Sequence, residues 1–141
     1  MPQLPCVLLV DDDETTNYLN HLLLERMGIA ANILVATNGR QALDLLPEYC
    51  PKPGAPTCPV LILLDINMPV MNGFEFLEAY ARLPQTRRDA IVVLMLTTSL
   101  NPRDAERLRT LPAAGTIAKP LSKAKVTQLL HEHFSHPLPI A

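Results

Sequence analysis

Acidic, hydroxyl and basic side chains directly follow several short apolar runs in this sequence. Asp11 to Asp13 come after the first run, Asp65 follows a later run, and Thr97 and Lys119 follow two more. Carboxylates that lie close together raise one another's pKa unless a cation neutralises them. Mg²⁺ binds oxygen ligands and keeps several waters, which suits a shallow site built from carboxylates and a phosphate.

Phosphoryl transfer is a reaction that such a site could carry out. An aspartate carboxylate can attack phosphorus and form an acyl phosphate. The reaction depends on positioning and charge neutralisation more than on covalent chemistry supplied by the protein. Lys119 and Thr97 are of the types that bind phosphoryl oxygens, so these residues indicate Mg²⁺-dependent phosphoryl transfer to an aspartate.

Five apolar runs of strand length alternate with segments of helical spacing. Runs with few polar interruptions are typical of strands buried on both faces of a parallel sheet. The predicted strands are Val7–Val10, Ile33–Ala36, Val60–Leu64, Ile91–Leu96 and Thr116–Ala118. The predicted helical stripes are Leu19, Leu22, Leu23 and Met27; Ala42, Leu45 and Leu46; Phe74, Leu77 and Ala81; Ala105, Leu108 and Leu111; and Val126, Leu129 and Leu130. This alternation predicts an α/β fold, a doubly wound parallel sheet with helices on both faces.

Local signals agree with this division of the chain. Gly28 is typical of a helix end, whereas Asn101-Pro102 and Ser122 are typical of helix starts. Prolines crowd the connection between the second helix and the third strand and predict an extended loop: Pro47, Pro51, Pro53, Pro56 and Pro59. Because ligands bind beyond the carboxyl ends of strands in open α/β sheets, the polar strand ends should converge on one site.

Composition favours one domain. With 141 residues, of which 48% are hydrophobic, we expect a single domain over 1–141, with a core at about 5–134 and a tail at 135–141. Twelve basic and fourteen acidic residues are scattered along the chain, which disfavours nucleic acid or anionic lipid as a partner. The N-terminus has neither a basic region nor a long apolar run, so we expect a cytoplasmic protein.

Three cysteines are present, at positions 6, 50 and 58. Their number is odd and no pair has metal-ligand spacing, which favours free thiols in a reducing compartment. Cys50 and Cys58 could close a loop if they were oxidised.

Four segments, taken together, resemble the receiver domains of two-component response regulators, whose simplest members are single-domain chemotaxis regulators. The segments are Val10-Asp11-Asp12-Asp13, Leu64 to Gly73, Leu94 to Thr98, and Ala118-Lys119-Pro120. The resemblance covers almost the whole chain. It implies a flavodoxin-like sheet with strand order 2-1-3-4-5 and five helices.

The resemblance also implies a role for each site residue. Asp65 would be the phosphoacceptor, while Thr97 and Lys119 would bind phosphoryl oxygens, and Lys119–Pro120 would be a cis peptide. The ligands of Mg²⁺ would be Asp11, Asp12, Asp65 and the backbone carbonyl of Asn67. The protein would take its phosphoryl group from a histidine kinase or a phosphotransfer protein and signal by contact with a downstream protein, as a monomer or weak homodimer. It would catalyse only its own phosphorylation and dephosphorylation.

One position departs from the family pattern. Receivers often carry Tyr or Phe three residues before the strand-five lysine, whereas this chain has Thr116. Output should therefore depend more on the loop after Thr97 and on the helix beginning near Pro102. An exposed basic side of that helix, formed by Arg103, Arg107 and Arg109, could contact a partner.

Two other functions fit part of the pattern. A haloacid-dehalogenase-like phosphohydrolase also uses an aspartate nucleophile and Mg²⁺, and Asp11-x-Asp13-x-Thr15 matches its first motif. That family needs an acidic pair after its lysine, but Glu132 is the only acid after Lys119. Under the receiver interpretation Asp13 would instead cap the first helix. The third possibility is a degenerate receiver that acts as an interaction scaffold.

Overall fold

The computed structural model describes residues 3–51, 55, 57–83, 91–98 and 100–134. Within them, five strands alternate with five helices. The strands are β1 (Leu4–Val10), β2 (Ala30–Ala36), β3 (Leu61–Asp65), β4 (Val92–Thr97) and β5 (Gly115–Ala118). The helices are α1 (Glu14–Met27), α2 (Gly39–Tyr49), α3 (Gly73–Tyr80), α4 (Pro102–Leu108) and α5 (Lys123–Phe134). The predicted tail at 135–141, together with Pro53 and Pro56 of the proline-rich loop, lies outside the described residues.

The strands form one parallel sheet in the order β2-β1-β3-β4-β5, which confirms the predicted flavodoxin-like fold. Every residue of β3 is buried, as expected for a central strand covered on both faces. Alternate residues of the central strands contribute to two core clusters. Leu63 belongs to the cluster that includes residues of α1 and α5, and Leu64 to the cluster that includes residues of α2 and α3.

The first two strands begin earlier than predicted. The pairing of β1 with β2 starts at Leu4 and Ala30. Pro5 is tolerated near the start of β1 because pairing with β3 begins only at Val7, so its missing N–H removes no bond from that ladder.

Helix α1 buries a different face from the one that the leucines predict. Its buried residues are Asn17, Asn20 and Leu24, whereas Leu19 is 55% exposed. Leu23 and Met27 are partly buried against the core, as predicted. The prediction that Leu19 faces the core is wrong. The helix is rotated so that Asn17 reaches backbone carbonyls at the strand ends.

The proline-rich connection is shorter than expected because α2 continues through Pro47 to Tyr49. The last turn keeps its bond from Cys50 N to Leu46 O at 2.7 Å. The hydroxyl of Thr57 donates to the carbonyl of Tyr49 at 2.6 Å. Thr57 is therefore tied to the end of α2.

Cys50 and Cys58 form a disulfide, while Cys6 is a buried free thiol. The prediction of free thiols is thus wrong for two of the three cysteines. Both half-cystines are buried in the core cluster on the α2 side of the sheet. The end of α2 and the bond from Cys58 N to Ala55 O bring them together, so the alternative that Cys50 and Cys58 close a loop is confirmed.

The predicted helix signals are confirmed. Gly28 ends α1 with φ at +64°, a value that suits glycine. Asn101 caps α4 with Pro102 in its first turn, and Ser122 Oγ accepts a bond from Lys125 N at the start of α5. Among the described residues, every helix is too short or too polar to cross a membrane.

Candidate functional site

Four of the predicted site residues lie at one edge of the sheet. Asp11 follows β1, Asp65 ends β3, Thr97 ends β4 and Lys119 follows β5. The register aligns these ends, since Asp65 pairs with Leu96 and Lys119 N donates to Thr97 O at 2.8 Å. The predicted convergence of the strand ends is therefore confirmed.

Three carboxylates form the centre of this site. One oxygen from each of Asp11, Asp12 and Asp65 lies within 4.8 Å of the other two. Asp11 and Asp65 are buried, at 3% and 8% exposure, while Asp12 is exposed. Such a set of hard oxygen donors, open on one side, fits Mg²⁺ with part of its water shell retained.

Asp13 takes no part in this cluster. It is the N-cap of α1, accepting bonds from Thr15 N at 3.2 Å and Thr16 Oγ1 at 2.7 Å. The hydrogen bond from the Thr16 side chain, followed by that from the Thr15 backbone, lowers the pKa of the Asp13 carboxyl. The predicted capping role is confirmed.

Lys119 joins the two buried acids. Its Nζ lies 2.8 Å from Asp11 Oδ2 and 3.1 Å from Asp65 Oδ1. Burial alone would lower the pKa of Lys119, but hydrogen bonds and charge from Asp11 and Asp65 together outweigh it and raise that pKa. The ammonium is therefore charged and supplies the positive partner of the acidic pocket.

Burial dominates the electrostatics of Asp65. It raises the pKa of this carboxyl, the hydrogen bond from Lys119 opposes the shift, and the charge of Asp11 adds to it. A carboxylate that is desolvated and close to another acid is held at a cost in free energy. An added cation would relieve that cost.

The loop after β3 positions Asp65 and Asn67. Gly73 N donates to Ile66 O at 2.8 Å, and a Cβ at Gly73 would lie only 2.5 Å from Asp65 O. Any larger residue would push the β3 end out of place. Asn67, two residues after Asp65 in the chain, is exposed.

The peptide bond between Lys119 and Pro120 is cis, as predicted.

Two residues near the site were not predicted. Asn17 Nδ2 donates to Asp11 O at 2.7 Å and to Ala36 O at 3.4 Å, which ties the ends of β1 and β2 together. Lys125 Nζ donates to the carbonyls on either side of Lys119. The only sequence signal for the role of Asn17 was its position as a polar residue in the first turns of α1. The sequence contained no signal for the role of Lys125.

Two of the three arginines on the predicted basic side of α4 make contacts within the protein. The guanidinium of Arg107 lies 4.4 Å from the centre of the Phe74 ring and 3.4 Å from Glu78, so it joins α4 to α3. Arg109 pairs with Glu106 at 3.2 Å. Thr116 is exposed on β5.

Comparison with known proteins agrees with this geometry. Residues 7–131 match the response regulator receiver domain family. The chain is 31% identical to the probable methanogenesis regulatory protein FilR2 of Methanothrix harundinacea over 126 residues, which are 89% of this chain and 79% of that protein. Two other relatives are longer proteins. The match spans only 27% of a probable cyclic di-GMP phosphodiesterase of Vibrio cholerae and 32% of the transcriptional regulatory protein CpxR of Escherichia coli.

Solved structures give the same result. A two-component response regulator from Cytophaga hutchinsonii superposes with a TM-score of 0.83 at 28% identity, covering 96% of this chain and all of that one. Chemotaxis protein CheY4 of Vibrio cholerae superposes with a TM-score of 0.75 at 27% identity, covering 93% and 98% of the two chains. Both the fold and the chain length are thus similar to those of single receiver structures.

Proposed function

The chain belongs to the response regulator receiver domain family, and we propose that it signals by accepting a phosphoryl group on Asp65 in a Mg²⁺-dependent reaction. The observation that carries the proposal is the pocket itself. The buried Asp65 carboxylate lies 3.1 Å from Lys119 and within 4.8 Å of acidic oxygens from Asp11 and Asp12.

In this proposal Asp65 is the nucleophile. One of its carboxylate oxygens forms a bond to phosphorus while the bond from phosphorus to the donor breaks, and the donor keeps the electron pair. Lys119 is placed to neutralise charge on a phosphoryl oxygen, and Thr97 would donate its hydroxyl to another. Asp11 is held by Lys119 and by the backbone around Asp13, so it keeps its orientation before the donor arrives.

The residues that would hold Mg²⁺ are Asp11, Asp12, Asp65 and the backbone carbonyl of Asn67. When bound, the ion supplies positive charge that offsets the repulsion between the acids and the incoming phosphate. The rest of the positioning comes from the chain, through the Gly73 turn and the Lys119 pair.

The partners in this proposal follow from the family. The donor is a histidine kinase or a phosphotransfer protein, and the output is phosphorylation-dependent contact with a downstream protein. Receivers are usually phosphoacceptor modules and not true enzymes, and we extend that to this chain as a single cytoplasmic receiver domain, monomeric or weakly dimeric. Phosphorylation would shift an existing equilibrium of the loop after Thr97 and of α4.

The phosphohydrolase alternative makes a different prediction. There Asp11 would be the nucleophile and Asp13 its acid partner, but Asp13 is occupied as a helix cap. Incubation with acetyl phosphate and Mg²⁺, followed by intact-protein mass spectrometry, separates the two. We expect Asp65→Asn to abolish the added phosphoryl mass and Asp11→Asn to weaken Mg²⁺ binding without moving the site.

The scaffold alternative predicts that Mg²⁺ does not bind. Titration with Mg²⁺ followed by calorimetry should give saturable binding that is reduced in Asp12→Asn. The exposed acid Asp44 on α2, which pairs with Arg40, supplies the control variant Asp44→Asn. The absence of saturable binding to the wild-type protein would favour the scaffold, whereas equal binding by the two variants would place the ion away from Asp12.

A further inference from the structure

Lys125, in the first turns of α5, makes two hydrogen bonds to the segment that carries Lys119. Its Nζ donates to Ala118 O at 2.7 Å and to Pro120 O at 2.9 Å. These are the carbonyls on either side of Lys119. We propose that Lys125 is a positioning residue that fixes the backbone of Lys119 and thereby aims its ammonium at Asp11 and Asp65.

The segment needs such support because β5 is a short edge strand. It has four residues and pairs only with β4. The last bond of that pairing is from Lys119 N to Thr97 O at 2.8 Å. Ala118, whose carbonyl shares a peptide plane with that N–H, is the last residue of β5. Beyond it the chain leaves the sheet, so the strand ladder does not orient the carbonyl of Pro120.

Lys125 is itself attached to a rigid base. Its backbone N–H donates to Ser122 Oγ at 3.2 Å, and Val126 N donates to Ser122 O at 2.9 Å. The neighbouring Val126 and Leu129 are buried in the core cluster that includes residues of α1 and α5. An ammonium carries three donors and no acceptor, so one lysine can bind both carbonyls at once.

The consequence for the reaction is geometric. Lys119 Nζ must lie near both buried carboxylates, at 2.8 and 3.1 Å, and its long side chain amplifies any rotation of its backbone. Small displacements of a group that aligns the reacting atoms lower the rate strongly. The hydrogen bonds of the Lys125 ammonium go to these two carbonyls and not to the acids, so its effect should pass through Lys119.

The test rests on the proposed function and compares Lys125→Met with Lys123→Met. Both variants remove one positive charge from the start of α5. We expect Lys125→Met to lower the phosphorylation rate by acetyl phosphate at saturating Mg²⁺ about tenfold, as supporting residues commonly do. Mg²⁺ affinity should be unchanged, and Lys125→Arg should restore most of the rate because it keeps the donors.

Three results would overturn the proposal. One is equal rates in Lys125→Met and Lys123→Met. Another is a parallel loss of Mg²⁺ affinity, which would mean that the whole site had collapsed. The third is the absence of rescue by arginine.

Failure of the wild-type protein to be phosphorylated on Asp65 would count against the proposed function instead. The positioning role would still be decided by NMR of the Lys119 side chain in the absence of phosphodonor. Its methylene and ammonium signals should shift and sharpen toward those of a mobile lysine in Lys125→Met, but not in Lys123→Met. Unchanged signals would refute the role.

Discussion

The ammonium nitrogen of Lys119 lies 3.1 Å from Oδ1 of Asp65. Asp65 ends the central strand β3, whereas Lys119 follows the edge strand β5, and β4 lies between the two strands. The same nitrogen lies 2.8 Å from Asp11. A single lysine therefore contacts both buried carboxylates.

Lys119→Met should lower the free energy of unfolding in EDTA by about 1.5–3 kcal/mol, the usual contribution of hydrogen bonds to charged groups. Two buried carboxylates would lose their cation. Urea denaturation measures the change, with Lys123→Met as the control that removes an exposed lysine. Equal stability of the two variants would contradict the prediction.

The pH dependence of that difference has a definite sign. The pKa of Lys119 is raised in the folded protein, so its contribution is complete below the ordinary lysine pKa. It is lost as the pH rises through the raised value. The gap between wild type and Lys119→Met should therefore be constant near neutrality and shrink in strongly alkaline solution.

Asp65→Asn should have the opposite effect on stability. Burial raises the pKa of Asp65, so the folded state binds its proton more tightly than the unfolded state does. Ionisation above the ordinary carboxyl pKa therefore destabilises the wild-type fold. In EDTA at neutral pH the variant should unfold at higher urea than wild type.

That advantage should disappear in acid, at pH values where the carboxyl is protonated in both the folded and unfolded states. Asp44→Asn, which changes an exposed acid, should not show this pattern. If Asp65→Asn were less stable than wild type at neutral pH, the electrostatic account of the pocket would be wrong.

Asn17→Leu tests the tie between the strand ends. The amide nitrogen of Asn17 donates to the carbonyls of Asp11 and Ala36, and the residue is 5% exposed. Leaving two buried carbonyls with fewer donors should cost about 1–3 kcal/mol in the free energy of unfolding. Because Asp11 would be less well fixed, Mg²⁺ affinity should fall as well.

Asn32→Leu is the matched control for that change. Asn32 makes a single exposed bond to Pro5 O at 3.5 Å, so its loss should change stability by no more than about 0.5 kcal/mol. Chemical denaturation and Mg²⁺ titration of both variants supply the comparison. A similar loss of stability in the two variants would contradict the proposal that Asn17 ties the strand ends together.

The cysteines should differ in reactivity. Burial raises the pKa of the Cys6 thiol to about 11, so almost no thiolate is present at neutral pH. Protein purified without reductant should therefore react with a thiol reagent only after denaturation, and then at one site. Added reductant should expose the two thiols of Cys50 and Cys58, and Cys6→Ser should abolish the first reaction only.

Much of the fold could be predicted because central parallel strands are buried on both faces and leave uninterrupted apolar runs such as Leu61 to Leu64. The acidic pocket could be predicted because Asp11, Asp65 and Lys119 each follow such a run. Strand ends of this kind meet at one edge of the sheet. Sequence position therefore carried most of the information about the site.

The remaining features depend on contacts between distant segments. The leucines of α1 predict a buried stripe, yet the helix turns Asn17 inward to satisfy strand-end carbonyls. From the sequence, Arg107 is predicted to be exposed and available to a partner, but its guanidinium lies over the ring of Phe74. Lys125 offers no local signal because its partners are backbone carbonyls, which every residue has.

Phosphorylation of Asp65 is the step on which the proposed function depends. The most direct measurement is to treat the protein with acetyl phosphate and Mg²⁺, reduce the acyl phosphate with borohydride, and locate the resulting homoserine by peptide mass spectrometry. We predict homoserine at position 65, absent when Mg²⁺ is removed. Homoserine at position 11, or at neither position in folded Mg²⁺-loaded protein, would contradict the account.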